Sequence, residues 1–161
     1  MFLVIDDTEA QRHIEALHTA YVRCIDDDRL ETWPDLFVEP FTYKVTTREN
    51  QNRGLPLGII ECTSRGMLLD RVEALRRVNV YEPQTYLHQI SALQIERESA
   101  TRFACRSNYL VVRTMGDGEM SLFSAGVYMD VVEIADGAAR FRERIVVAES
   151  RRIDTLLVIP L

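Results

Sequence analysis

Four long β-prone segments fill the second half of the chain: 86–96, 101–115, 120–135 and 140–148. Asp117-Gly118 and Asp136-Gly137 separate the later ones. Such dipeptides readily adopt the left-handed backbone that a tight hairpin needs. Strands joined by hairpins must run antiparallel, so the second half is predicted to be a meander. Each segment exceeds the usual ~5–6 residues of a strand, which favours a bent, bulged sheet over a flat one. In the last segment alternation sets Phe141, Ile145 and Val147 on one side and Arg140, Arg142 and Arg144 on the other.

The first half reads differently. Ile14, Leu17, Tyr21, Val22 and Ile25 recur at spacings of three and four after Thr8 and Glu9, the pattern of an amphipathic helix. Asp26, Asp27 and Asp28 interrupt it. A short helix over 30–37 turns Trp33, Leu36 and Phe37 inward, and 41–46 is a β-branched and aromatic strand. Residues 48–62 carry Gly54, Pro56 and Gly58 and read as a loop. Ser64 is placed to cap a further helix from Arg65 to about Asn79. Helices followed by a long antiparallel meander make an α+β fold. A strongly curved sheet closing over the N-terminal helices gives a half-open cone. The chain is expected to be a single domain over 1–161. Its helical first half covers about 8–80, its meander about 84–149, and a C-terminal docking segment 150–161.

Charge narrows the partners. The net charge is −6, whereas a nucleic-acid surface wants a basic face to replace counterions. No apolar run reaches the ~18 residues needed to span a membrane, and the short run Phe2–Ile5 falls below the ~7–15 residues of a secretory h-region. A cytoplasmic protein binding neither nucleic acid nor membrane is expected. Cys24, Cys62 and Cys105 are odd in number and far apart, which fits reduced thiols.

Candidate chemistry is sparse. Zinc and iron–sulfur sites want clustered Cys and His, and the chain has neither C-x-x-C nor C-x-H. His13 and His18, with Glu9 upstream, have the composition of a two-histidine, one-carboxylate iron site. Side chains five apart on a regular helix diverge by ~140°, however, so a bulge would be needed to bring them together. Three consecutive aspartates diverge as well. Asp28 is placed to cap the helix that starts near Leu30, with Glu31 in its first turn. Against that reading stands a cone-fold enzyme in which Asp26 or Asp27, Tyr43 and His88 form an acid–base set in one cavity. His88 lies mid-strand in TYLHQIS, where a lone histidine is more often structural than catalytic. Motifs of the G-x-S-x-G type, P-loops and dinucleotide fingerprints do not occur.

The apolar segment IDTLLVIPL must be covered. It packs back on the domain or docks on a neighbouring subunit. Arginine is favoured at interfaces, so Arg140, Arg142 and Arg144, with Leu156, Leu157, Val158, Ile159, Pro160 and Leu161, form the candidate subunit interface.

Four segments in order, YVRCIDDDRLETWPDLF, GMLLDRVEALRRVNVYEPQTYLHQIS, FSAGVYMDV and RFRERIVVAESRRIDTLLVIPL, span nearly the whole chain. Together they resemble the small, or β, subunits of aromatic-ring-hydroxylating dioxygenases. The likeness is closest to those acting on aromatic carboxylates such as anthranilate and terephthalate. Leu87 stands where the pattern commonly has a basic residue before the histidine, and Gln84 where a basic or imidazole side chain is frequent.

The resemblance implies the cone fold of nuclear transport factor 2 and SnoaL-like proteins, and a structural subunit with no cofactor of its own. It implies a trimer of such chains beneath three α subunits. A Rieske 2Fe-2S cluster and a mononuclear non-haem Fe(II) would lie in the α partner, and an NADH-dependent reductase, with or without a ferredoxin, would supply electrons. Catalytic, cofactor-binding and metal residues are then expected in the partner. The rival is a stand-alone isomerase, dehydratase or cyclase built on Asp26, Tyr43 and His88. Cavity shape separates the two: the rival needs those three side chains around one open pocket.

Overall fold

The structure, a computed structural model, describes residues 5–56, 58–78, 81–150, 152, 157 and 159–161. The first helix, α1 (Asp7–Asp26), starts where the Asp6 carboxylate accepts the Glu9 N–H at 2.9 Å, with Asp7 and Glu9 favourably placed in its first turn. Its buried face is Ala10, Ile14, Leu17, His18, Tyr21, Cys24 and Ile25. Asp28 ends it in the left-handed region at φ 55°. A 3-10 helix (Leu30–Leu36) buries Trp33 completely and leads into strand β1 (Phe37–Thr47).

Two elements lie within the segment expected to be a loop. Thr47 caps a short helix α2 (Arg48–Asn52), and Ile60–Cys62 forms β2 against β1. Three residues are too few to show a hydrophobic period, so β2 exists through its pairing rather than its pattern. Ser64 caps α3 (Arg65–Glu73), accepting from the Met67 N–H at 3.4 Å, and a π-helical turn (Ala74–Val78) extends it.

Then come the four long strands: β3 (Gln84–Arg97), β4 (Arg102–Met115), β5 (Met120–Ala135) and β6 (Ala138–Ala148). They pair antiparallel in sequence, and β6 closes on β1 in parallel, giving the order β2-β1-β6-β5-β4-β3 in one curved, unclosed sheet. The bulges expected of long strands are present. Phe123 is the extra residue of β5 opposite β4, and Arg142 the extra residue of β6 opposite β5. In β3 the register shifts at Ala92, whose φ is 53°.

Gly126 shows why the FSAGVYMDV segment tolerates no side chain there. A Cβ would come within 2.0 Å of the Val147 carbonyl oxygen and 3.0 Å of the Tyr109 ring. Tyr109 stacks on Tyr128 at 4.6 Å, and Tyr21 meets Tyr128 and Phe141 edge-on. Trp33, Phe37, Phe41 and Tyr43 form the aromatic end of the same core.

The interior of the cone as candidate functional site

The three aspartates go three ways, as their directions require. Asp26 clamps β3: one carboxylate oxygen accepts the His88 backbone N–H at 2.8 Å, and the other meets His88 Nδ1 at 2.6 Å. Because β3 is an edge strand, that N–H has no neighbouring strand to serve, and Asp26 satisfies it from α1. Asp27 pairs with Arg29 on the surface. Asp28 does not cap the next helix. The N-cap there is Arg29, without a side-chain bond, and Asp28 instead meets Arg76 Nη1 at 2.7 Å while Glu31 holds Arg76 Nε at 2.8 Å. A residue at φ 55° cannot supply the extended backbone that an N-cap needs.

Asp26→Ala leaves the buried His88 ring nitrogen and its backbone N–H without acceptors. The expected cost is about 1–3 kcal/mol, read as a lower urea midpoint at unchanged slope.

Asp26 and His88 lie beside an open groove of about 430 Å³ between α1 and β3, shared with His18, Arg23, Leu87 and Ser91. Tyr43 does not line it. Its hydroxyl sits at 3.2 Å from both the backbone oxygen and the N–H of Leu161, and Tyr21 donates to the same oxygen at 2.5 Å. The acid–base set of Asp26, Tyr43 and His88 is therefore not assembled around one cavity. His13 and His18 are apart as well: His13 is half-buried near Glu9, and His18 is buried near Asp130.

The strongest electrostatics lie where sequence reasoning placed none. One inner row crosses all six strands in register: Ile95, Cys105, Asp130, Arg144, Tyr43 and Cys62. Arg144 is fully buried, its guanidinium 3.8–4.3 Å from the ring centres of Tyr21, Tyr128 and Phe141. Its Nε is 3.5 Å from Asp130, and His18 Nε2 is 3.4 Å from the other oxygen of the same carboxylate. Neither contact has hydrogen-bond geometry, since the side-chain nitrogens and oxygens of all three residues lack hydrogen-bond partners. Burial pushes Asp130 up to about 7, with Arg144 opposing, and burial with Arg144 lowers His18 to about 3. Burial, with Asp130 adding to it, pushes the Cys105 thiol up to about 12. The alternation of Tyr128, Asp130, Val132 and Ile134 was the available signal for an inward carboxylate.

Within this chain the candidate interface residues separate into surface and core. Arg140 is exposed, and Arg142 is half-buried against Glu133 at 2.7 Å and the Pro40 carbonyl at 2.8 Å. Arg144 belongs to the core, because the bulge at Arg142 shifts the parity of the strand and sends residue 144 inward with Phe141. Leu157, Ile159, Pro160 and Leu161 are buried within this chain, so those four side chains pack on their own domain. Leu156 and Val158 lie outside the described residues.

Among the described residues no three His, Cys, Asp or Glu side chains converge for a metal, and Cys24, Cys62 and Cys105 are buried separately. The described residues do not fit the donor set of a Rieske cluster or of a mononuclear iron. Among the described residues no helix is long and apolar enough to cross a membrane.

Comparison with known proteins agrees with that architecture. The SnoaL-like domain model matches residues 6–145. The anthranilate 1,2-dioxygenase small subunit of Burkholderia cepacia is 38% identical over 156 residues, covering 97% of each chain. A terephthalate 1,2-dioxygenase terminal oxygenase component subunit, beta 1, from a Comamonas species is 38% identical over 92% of this chain and 96% of its own length. Among solved structures, the β subunit of a provisionally assigned aromatic-ring-hydroxylating dioxygenase from Novosphingobium aromaticivorans superposes with a TM-score of 0.87. That chain is 38% identical, and the match covers 96% of this chain and 98% of the other. By sequence along its whole length and by fold, the chain belongs to the SnoaL-like family and, within it, to the small subunits of aromatic-ring-hydroxylating dioxygenases.

Proposed function

We propose that this chain is the structural small subunit of the terminal oxygenase component of an aromatic-ring-hydroxylating dioxygenase acting on an aromatic carboxylate. One observation carries the structural reading: the Tyr43 hydroxyl is engaged by Leu161 inside the cone, while Asp26 and His88 face a separate groove. A stand-alone isomerase or dehydratase would need the three together. The substrate class rests on relatives named for anthranilate and terephthalate.

In this reading the chain works in the cytoplasm and supports a large subunit that carries the Rieske cluster and the mononuclear iron. NADH supplies electrons through a reductase. Three copies of each subunit would make the assembly, with the exposed Arg140 and the half-buried Arg142 as the remaining candidates for subunit contacts.

Reconstitution tests it. The chain alone is expected to be colourless and inactive. Mixed with a large subunit encoded beside it, one carrying C-x-H and C-x-x-H, it should co-elute and restore oxygen uptake with benzoate-type substrates. Full activity and stability of the large subunit alone would remove the assigned role, and turnover by this chain alone would favour the rival.

A further inference from the structure

The free edge of the sheet is held by α1 at two points and left open between them. Arg97 of β3 donates to the Asp7 carboxylate at 2.7 Å and to the Ile5 carbonyl at 2.8 Å, and Asp26 holds His88, so helix and strand run antiparallel. Between these clamps lies the groove of about 430 Å³, walled by Val22 from the helix and by Ile90 and Leu93 from the strand. The His88 N–H points at Asp26 and away from β4. Backbone alternation then sends the N–H and C=O of Ile90, two residues on, to the same free side. Just beyond, Ala92 and Leu93 bulge out of register with β4. An edge with open N–H and C=O groups is a template for one more strand. Glu15 and Arg23 flank the groove on the helix, eight residues and so about 12 Å apart. Both are exposed, and among the described residues neither makes an ion pair.

We infer that this groove docks an extended segment of the large subunit, added as an antiparallel strand to the free edge of β3, with a base, an apolar residue and an acid at alternate positions. The residue opposite Ile90 exchanges two backbone hydrogen bonds with it, and its side chain, on the face of Ile90, is apolar to meet Val22. The residues two before and two after share that face and lie about 13 Å apart, which matches the spacing of Glu15 and Arg23. An antiparallel segment runs from Leu93 towards Leu87. Its base therefore comes first, against Glu15, and its acid last, against Arg23. A second copy of this chain does not offer that segment. Its sequence has the pattern at 23–27, inside α1, and at 113–117, where Arg113 is held over the Phe123 ring at 4.5 Å. The inference rests on the subunit role proposed above and names one of its contact surfaces.

The test uses the full chain and the large subunit encoded beside it. Hydrogen exchange read by mass spectrometry should show at least one further slow amide in the segment 86–93 on assembly, that of Ile90. Arg23→Glu and Glu15→Lys should each raise the Kd of the complex at least about tenfold. Arg12→Glu, exposed on the same helix but outside the groove, should change it less than about threefold. All three variants should keep Tm within about 2 °C of the unaltered chain, since exposed side chains are replaced. Unchanged exchange in 86–93 in the assembled complex, or a Kd that neither groove variant moves more than Arg12→Glu does, would overturn the inference while leaving the subunit role standing. If the unaltered chain forms no complex with the large subunit, the subunit role fails and the docking surface falls with it.

Discussion

Replacing Arg144 by alanine is expected to destabilise the fold by about 3–5 kcal/mol, the range for leaving one member of a buried ion pair without the other. The guanidinium is fully buried over Tyr21, Tyr128 and Phe141 and 3.5 Å from Asp130. Alanine removes the countercharge of Asp130 and the stacking partner of three rings together, and it opens a cavity in a packed interior. The pair itself is a different quantity. Charge contacts that lack hydrogen-bond geometry do not fully repay the desolvation of both groups. Arg144→Met with Asp130→Leu, roughly volume-conserving and uncharged, is therefore expected to regain most of the loss. Urea denaturation of the single and double variants measures the coupling. A loss under about 1 kcal/mol for Arg144→Ala would mean that the guanidinium reaches water, against its burial.

The same residue shows what the sequence could and could not say. The strands were legible because hairpin dipeptides and β-branched runs are local signals, and β5 spans Met120–Ala135 as its pattern indicated. Pairing parity was not legible. Counting back from the Asp136-Gly137 turn sets residue 132 opposite 141, which holds, and would set 130 opposite 143. The bulge at Arg142 moves the partner to Arg144, and one unpaired residue converts a wet arginine face into a buried ion pair. A bulge is chosen by tertiary closure, here of β6 against β1, and leaves no local mark.

Asp26 tells a similar story at longer range. Its divergence from Asp27 and Asp28 follows from backbone direction alone, but its partner lies 62 residues away on an edge strand. Leu161 was legible as part of an apolar segment that must be covered. Which surface covers it depends on Tyr21 and Tyr43, whose hydroxyls carry no sequence signal for a backbone partner.

The pair His18 and Asp130 gives stability a pH dependence that two substitutions should split into opposite signs. His18 is lowered from 6.5 to about 3 in the fold. As pH falls below 6.5 the unfolded chain gains a proton that native His18 refuses, so stability is lost towards acid at up to about 1.4 kcal/mol per pH unit. Asp130 is raised from 3.8 to about 7. As pH falls below 7 the native carboxylate gains a proton that the unfolded one refuses until 3.8, so stability is gained towards acid at a similar rate. Between about pH 4 and 6.5 the two contributions oppose each other. Asp130→Asn removes the gain, and that variant should lose about 3 kcal/mol on going from pH 6.5 to 4. His18→Gln removes the loss, and that variant should become more stable over the same interval by a comparable amount. Urea midpoints at pH 7, 5.5 and 4 read both. Slopes of the same sign in the two variants would show that His18 and Asp130 do not titrate as their burial beside Arg144 requires.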